Sequence, residues 1–134
     1  MTTIKFGTDG WRAGIGEEYT FANVRRITQG VADYLHAHGE AGQGMIVGFD
    51  TRFRSDDFAS AVCEAHLCQA PAPTPVSSYA ILERQTAGGI NITASHNPYT
   101  DNGYKLRSKY GGAADIKVLQ EVEERIGAVR EPRS

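Results

Sequence analysis

The stretch that decides the fold of this chain is Gly89-Ile90-Asn91-Ile92-Thr93-Ala94-Ser95-His96-Asn97-Pro98. Its first half is a short apolar run of strand length, and the Asn-Pro pair that closes it favours a turn. The pattern therefore predicts a serine hydroxyl at a strand-to-turn junction, beside an imidazole and an amide. A turn serine more often hydrogen-bonds its own loop than accepts a phosphoryl group, so the neighbouring motifs have to decide between these two interpretations.

Helical and strand-like patterns alternate on both sides of this stretch. Apolar residues recur at three- and four-residue spacing from about Phe21 to His36, and Thr20 is placed to cap that helix. Ser55 and Asp115 are predicted caps of two further helices, and a short helix is expected from Val76 to about Gln85. Strands are expected over 4–6, 45–49, 89–93 and 103–106. Helices that alternate with short apolar strands predict an α/β layered domain.

Length and charge restrict the class of protein. The 134 residues suffice for one domain, taken as residues 1–134 with residues 128–134 as a polar tail or linker. The net charge of −2 gives no general attraction to nucleic acid or to an anionic membrane. No apolar run approaches a membrane span and no signal peptide is recognised, so a cytoplasmic location is expected.

Four motifs follow one another along the chain. They are Lys5-Phe6-Gly7-Thr8-Asp9-Gly10-Trp11-Arg12, Gly48-Phe49-Asp50-Thr51-Arg52, Thr93-Ala94-Ser95-His96-Asn97-Pro98 and Asn102-Gly103-Tyr104-Lys105. Together they resemble the N-terminal domain, domain I, of the α-D-phosphohexomutases, which include phosphoglucomutase, phosphomannomutase and phosphoglucosamine mutase. The resemblance runs from about residue 4 to 126. It implies a three-layer α/β/α domain with a mixed, mostly parallel sheet.

The resemblance also implies a reaction. Ser95 would carry a phosphoryl group, donate it to a hexose 1- or 6-phosphate, and recover the other phosphate from the reoriented bisphosphate. A divalent metal, usually magnesium, would sit on the phosphate of Ser95. A phosphoserine carries roughly −1.5 to −2 charges and three strong acceptor oxygens, so its transfer depends mainly on positioning and on neutralising charge.

Other site residues come from the same resemblance. Arg12 would lie beside the phosphoserine, where its planar, permanently charged guanidinium suits a phosphate. Lys105 and His96 are the candidates for proton transfer and phosphate contact. Thr8 and Asn97 are expected to complete the binding of substrate or phosphate.

Several of these residues also have a purely structural interpretation. Arg12 could simply pair with Asp9 or Asp50, and Lys105 could be a solvated residue of an edge strand. Asp50 and Arg52 are expected to brace the strand-to-helix turn and not to touch substrate.

The remaining candidates have structural alternatives as well. His96 could only hold the shape of its loop, and Trp11 is expected to be a packing residue. Cys63, His66 and Cys68 suggest a metal site at first sight. On a helix, however, the two cysteines would point about 140° apart, so packing roles are predicted for them.

The chain departs from the resemblance in two ways. The family's metal-binding, sugar-recognition and second phosphate-gripping loops are not in this sequence, so no mutase turnover is expected of the chain alone, and magnesium binding would be weak or absent. In addition, the segment 67–75 is so short that we expect one strand of the family sheet to be deleted. We expect the sheet to compensate by changed pairing, through self-association or strand exchange between chains.

Three functional interpretations remain open on these grounds. The chain is the phosphoserine-bearing domain of a phosphohexomutase that works with the missing mutase domains on hexose phosphate or bisphosphate. Alternatively, it is a non-catalytic module for phosphosugar binding, regulation or assembly. The third interpretation is a truncated or engineered form of the fold with no activity of its own.

Overall fold

A computed structural model of the chain describes residues 2–62 and 66–129. The described elements are strands β1 (Trp11–Gly14), β2 (Ile46–Phe49), β3 (His66–Leu67), β4 (Gly88–Ile92) and β5 (Asp101–Ser108), helices α1 (Phe21–Ala37), α2 (Ser55–Ser60), α3 (Thr74–Arg84) and α4 (Ile116–Ala128), and a 3₁₀ turn at Ala41–Gln43. Within this part of the chain, none of the helices combines the length and the hydropathy that a membrane span requires.

The strands form one mixed five-stranded sheet in the order β1-β5-β4-β2-β3. Strand β2 is parallel to β3 and β4, whereas β5 is antiparallel to both of its neighbours, β4 and β1. Strand β5 therefore runs against the other four, which confirms the predicted mixed, mostly parallel sheet. Because β2 and β4 are parallel, the residues that follow them meet at the same edge of the sheet.

The two faces of the sheet differ in composition. One face is apolar and packs with α1, α2 and α4 in a continuous core that includes Val47, Phe49, Ile90, Ile92, Tyr104 and Leu106. Apart from the buried Ile46, the alternate residues on the other face are small or polar, since side chains point to opposite faces at every step of a strand. There α3 packs close over Gly48 and Gly89. The result is a three-layer α/β/α arrangement with one apolar and one largely polar sheet surface.

A very short strand is present at the segment where we expected one strand of the sheet to be deleted. Strand β3 is two residues long, and α2 has only six residues. The carbonyls of Met45, Val47 and Phe49 accept hydrogen bonds from the N–H groups of His66, Cys68 and Ala72, respectively. Residues 66–72 of the chain itself therefore pair with strand β2 on this side.

Two local predictions are wrong. Residues 4–6 do not form a strand; Ile4 is buried in the core and the Phe6 N–H donates to the Glu123 carboxylate at 2.5 Å, so this segment is anchored by side chains and helix α4. Ser55 does not cap α2, because Arg54 occupies the cap position with φ 58°. The predicted caps Thr20 and Asp115 are confirmed by side-chain hydrogen bonds to the N–H groups of Asn23 and Lys117.

Candidate active site

Ser95 lies on an exposed loop that follows β4, which we call the serine loop (residues 93–101). Its backbone is left-handed, with φ 56°, a conformation that costs a non-glycine residue free energy and persists only where the surroundings hold it. The Ser95 N–H donates to Thr93 Oγ1 at 3.0 Å, and the Asn97 N–H donates to the Ala94 carbonyl at 3.0 Å. These local bonds turn the chain back on itself and leave the Ser95 side chain at the surface.

Arg52 braces the serine loop from beneath. Its guanidinium donates to four main-chain carbonyls, those of Ser95 (2.7 Å), Asn97 (2.8 Å), Pro98 (2.8 Å) and Asp101 (3.2 Å). A planar fork with five N–H donors can serve several acceptors at once, and a lysine could not. The sequence-based expectation that Arg52 braces the strand-to-helix turn is correct but too narrow, because the same side chain also fixes the serine loop.

A relay of hydrogen bonds joins Arg52 to strand β5. The Asp50 carboxylate lies 3.3 Å from Arg52 Nε and accepts the Ser55 hydroxyl at 2.7 Å. Ser55 in turn accepts from the Asn102 amide at 2.9 Å, and Asn102 Oδ1 accepts its neighbour Gly103 N–H at 2.8 Å. Ser55 and Asn102 are fully buried, so neither can exchange these partners for water. Three of the four sequence motifs therefore form one network.

Arg12 connects the serine loop to the first motif. Its Nη1 donates to Asn97 Oδ1 at 2.8 Å, and its Nη2 lies 3.4 Å from Asp9 Oδ2. Asn97 also donates through Nδ2 to Asp101 Oδ2 at 2.9 Å, which fixes the orientation of its amide. Arg12 thus contacts the serine loop through Asn97, and it also pairs with Asp9.

Lys105 is not a solvated edge residue. It lies on the inner strand β5, its side chain is 8% exposed, and its Nζ contacts Asp9 Oδ2 at 2.5 Å. Asp9 belongs to the turn at residues 7–10, which we call the aspartate loop. Gly10 in this loop has φ 95°, and a Cβ there would lie 2.6 Å from the Tyr104 carbonyl and 2.9 Å from Lys105 Cγ. Only glycine therefore allows the aspartate loop to approach β5 this closely.

Tyr19 and Gly103 fix the strand that lies between the two loops. The fully buried Tyr19 donates its hydroxyl to the Gly103 carbonyl at 2.9 Å, and burial raises the pKa of this phenol well above its ordinary value, so the donor keeps its proton. A Cβ at Gly103 would lie 2.5 Å from the Thr93 carbonyl and 3.1 Å from Arg12 Cγ. The serine loop and Arg12 both approach Gly103 so closely that this position has no room for a Cβ atom.

Two predicted site residues are not drawn into this network. His96 and Thr8 are exposed, and neither side chain hydrogen-bonds to any residue within 2–62 or 66–129.

Trp11 is buried and stacks on Tyr19 with ring centroids 5.1 Å apart, so its packing role is confirmed. Sequence reasoning did not single out Arg107, whose Nη1 lies 4.0 Å from Asp9 Oδ1. Its position two residues after Lys105 was the available signal, because alternate residues of a strand share a face.

A cavity of about 280 Å³ opens beside the serine. Ser95, Asp50, Asn91 and the residues 72–74 that lead into α3 contribute to its lining. Asn91 is 3% exposed, and its Nδ2 has no hydrogen-bond partner among the described residues. The cavity therefore combines a free hydroxyl, space for a small polar group and one unused amide donor.

The described residues do not provide a metal site beside Ser95. Asp50 and Asp101 are the carboxylates that contact the serine loop or Arg52, and both are engaged by internal donors. Across the described ranges, no three His, Cys, Asp or Glu side chains are grouped as a metal ion would need. His66 is exposed on β3 and Cys68 packs partly against the core, so neither lies on the helix on which the sequence placed them, and Cys63 lies outside the described residues.

Fold and site together define an α/β/α domain that presents a braced serine loop next to a row of basic side chains. Residues 3–133 match the family described as phosphoglucomutase/phosphomannomutase, alpha/beta/alpha domain I. The chain belongs to this family and corresponds to its domain I.

Individual relatives agree with this membership. The chain is 32% identical over 140 residues to a phosphoglucomutase of Staphylococcus saprophyticus subsp. saprophyticus, a match that covers 96% of this chain and 25% of that protein. It is 38% identical over 132 residues to a phosphoglucosamine mutase of Alcanivorax borkumensis, covering 92% of this chain and 29% of that protein. The chain therefore spans less than a third of the length of these relatives.

Solved structures share the fold. A crystal structure from Thermus thermophilus, assigned as a phosphomannomutase, superposes with a TM-score of 0.89 at 34% identity and covers 98% of this chain and 31% of that one. The open form of the Paramecium phosphoprotein parafusin, a phosphoglucomutase, gives a TM-score of 0.80 at 23% identity and covers 96% of this chain and 26% of that one, a likeness of fold alone.

Proposed function

We propose that this chain is the phosphoserine-bearing domain of a phosphohexomutase, in which Ser95 carries the phosphoryl group that converts hexose 1-phosphate and hexose 6-phosphate into one another. The observation that carries the proposal is the exposed Ser95 on a loop held by four carbonyl contacts to Arg52. A nucleophile fixed in this way loses little conformational freedom when it reacts.

The chemistry follows from the groups around Ser95. Its Oγ attacks a phosphorus atom of a hexose bisphosphate, the new Oγ–P bond forms as the bond to the sugar oxygen breaks, and the hydroxyl proton passes to that oxygen. In the complementary step the phosphoserine gives its phosphoryl group to the free hydroxyl of a hexose monophosphate, the Oγ–P bond breaks as the new bond to the sugar oxygen forms, and Oγ takes up the proton of that hydroxyl. The bisphosphate so formed reorients and presents its other phosphate to Ser95, which completes the isomerisation. Arg12 neutralises charge on the phosphoserine, which is the largest requirement of phosphoryl transfer. Lys105 and His96 remain the candidates for proton transfer, with Thr8 and Asn97 at the substrate phosphate.

We propose a role for magnesium only in the full-length enzyme. A hard cation needs several oxygen ligands, and the carboxylates that contact the serine loop or Arg52 are already hydrogen-bonded. We therefore assign no step of the reaction to a metal held by this chain.

Full turnover requires groups beyond those described in this chain. Its relatives are more than three times as long, and we propose that their remaining parts supply sugar selection and the grip on the second phosphate. The 134-residue chain alone is expected to convert no glucose 1-phosphate. Serine-dependent turnover by the purified chain would contradict this expectation.

Intact-mass spectrometry tests the phosphoserine directly. The chain is measured as purified and after incubation with glucose 1,6-bisphosphate and Mg²⁺, and one phosphate adduct is expected. It should disappear in Ser95→Ala and persist in Ser60→Ala, a matched control in which an exposed helical serine is removed. A chain that takes up no phosphate, or takes it up equally in Ser95→Ala, would favour a non-catalytic phosphosugar-binding or assembly module.

Location and association are further proposals. We propose a cytoplasmic location, which cell fractionation tests. We also propose self-association at the β3 edge, where His66 and Leu67 are both exposed. Light scattering across a wide range of concentrations decides this point, and a constant monomeric mass would contradict it.

A further inference from the structure

The aspartate loop places one carboxylate among three cations. Asp9 contacts Lys105 Nζ at 2.5 Å and Arg12 Nη2 at 3.4 Å, and Arg107 Nη1 lies 4.0 Å away. This is a local excess of positive charge in a chain whose net charge is −2. Lys105 and Arg107 are largely buried, with side chains 8% and 16% exposed, so water screens this excess poorly.

Arg107 is the least satisfied of the three cations. Its Nη2 makes two long hydrogen bonds, to the Ser78 hydroxyl at 3.4 Å and to the Gly111 carbonyl at 3.2 Å. Its Nε is buried and has no partner among the described residues. A buried guanidinium normally has strong acceptors on several of its N–H groups, so the arrangement has donor capacity left for an anion.

Arg12 and Lys105 already belong to the proposed phosphoserine site; we propose that Arg107 extends this site for a phosphate monoester dianion, and that Asp9 is a built-in competing anion that holds the three cations in place until such a ligand arrives. The identity of the ligand as a hexose phosphate rests on the proposed function, but the competition does not. A dianion offers three oxygens and about two charges, against two oxygens and one charge from Asp9, so it can engage Arg107 fully. Arg12 spans from Asp9 to Asn97, which places the site next to the serine loop.

Competition by Asp9 is tested by calorimetric titration with inorganic phosphate at fixed ionic strength. The titration uses a Ser95→Ala background, so that phosphorylation of the serine cannot contribute. Asp9→Asn is expected to tighten phosphate binding about tenfold, because the ligand no longer has to displace a charged carboxylate from these cations. Asp57→Asn is the matched control, because it removes another exposed carboxylate, one that pairs with Arg54 at 2.8 Å. Equal affinities of the two variants would overturn the competing role of Asp9.

The role of Arg107 is tested in the same titration. Arg107→Gln is expected to weaken phosphate binding about fivefold, while Arg107→Lys should restore part of the loss through charge alone. Lys109→Gln is the control with the same change of charge, since Lys109 is exposed and pairs with Glu40. If Arg107→Gln binds phosphate no more weakly than Lys109→Gln, Arg107 is not part of the site. This pair of variants needs no change at Asp9 and so remains informative even if Asp9→Asn does not fold.

The phosphoserine proposal and the anion-site proposal can be refuted independently of one another. A chain that binds phosphate through Arg107 but never becomes phosphorylated at Ser95 would refute the phosphoserine and keep the anion site. A chain that is phosphorylated at Ser95, but whose phosphate affinity does not change in the Asp9 and Arg107 variants, would refute the anion site and keep the phosphoserine.

Discussion

The serine loop and the aspartate loop lie on either side of β5 and are held by different forces. The serine loop is fixed by main-chain carbonyls around the guanidinium of Arg52. The aspartate loop is fixed by the carboxylate of Asp9 among cations. Four carbonyls together hold the guanidinium of Arg52, whereas the single carboxylate of Asp9 competes with any anion that approaches its cations. We therefore expect the serine loop to keep its position when an anion binds, and the aspartate loop to exchange its ion pairs.

Removing Arg52 should have the largest effect on stability. Arg52→Ala deprives four carbonyls of a charged donor, so we expect a loss of about 2–4 kcal/mol in the free energy of unfolding. Arg52→Lys should recover little, because an ammonium lacks the planar fork. Urea unfolding measures both. Arg25→Ala, on the exposed face of α1, is the control, and an Arg52→Ala loss no greater than this control would show that the serine loop is held by something else.

A methyl group at Gly103 tests the point where both loops meet. The new Cβ would lie 2.5 Å from the Thr93 carbonyl and 3.1 Å from Arg12 Cγ, so strand or loop has to move. Overpacking of this kind costs about 1–3 kcal/mol, to be measured by denaturant unfolding.

Gly42→Ala serves as the control for Gly103→Ala, because a Cβ at Gly42 meets no atom within 4 Å. Its stability should change by less than about 0.5 kcal/mol. Similar stabilities of the two alanine variants would mean that β5 tolerates a side chain here and that the close approach of the loops is not required.

Salt should change the stability contribution of the aspartate loop more than that of the serine loop. Asp9→Asn leaves Lys105 without its carboxylate, and we expect a loss of about 0.5–1 kcal/mol at low ionic strength, discounted because the Asp9 side chain is 46% exposed. The deficit should shrink at an ionic strength of about 1 M, where the Debye length is about 3 Å. Thermal melts of Asp9→Asn and Arg52→Ala at both salt concentrations measure the difference. A deficit of Asp9→Asn that does not depend on salt would contradict an electrostatic aspartate loop.

The smallest effect is expected where helices α1 and α4 are joined by exposed charges. Hydrogen bonds from Arg125 and then His38 lower the pKa of Glu121 below its ordinary 4.5. A carboxyl group with a lowered pKa stabilises the fold above the unfolded-state value and loses that contribution as the pH falls through the folded-state value. Glu121→Gln should therefore melt slightly below wild type near neutral pH, with the gap closing below pH 4.5. Glu124→Gln, which removes another carboxylate from the exposed face of α4, is the matched control.

Most of the fold was predictable because the informative signals were local. The caps Thr20 and Asp115 and the apolar spacing of α1 and α4 act over a few residues, and the structure keeps them. The predictions of a strand at 4–6 and of a cap at Ser55 failed mainly because of groups far along the chain. Glu123, 117 residues from Phe6, anchors the first segment, and Asn102, 47 residues from Ser55, joins the nearby Asp50 in binding the Ser55 hydroxyl. Long-range partners of this kind leave no trace in spacing.

The α/β class, the order of the four motifs and a serine at the end of a buried strand can all be read from the amino-acid sequence, because they follow from periodicity, turn residues and local caps. Which groups hold that serine depends on the tertiary structure. Arg52 lies far from Ser95 along the chain, as Asp9 does from Lys105, and only the pairing of β2 with β4 and of β5 with β1 brings them together. Hydrogen bonds and charges act over a few ångströms, so the loops acquire their roles only once the sheet has closed those distances.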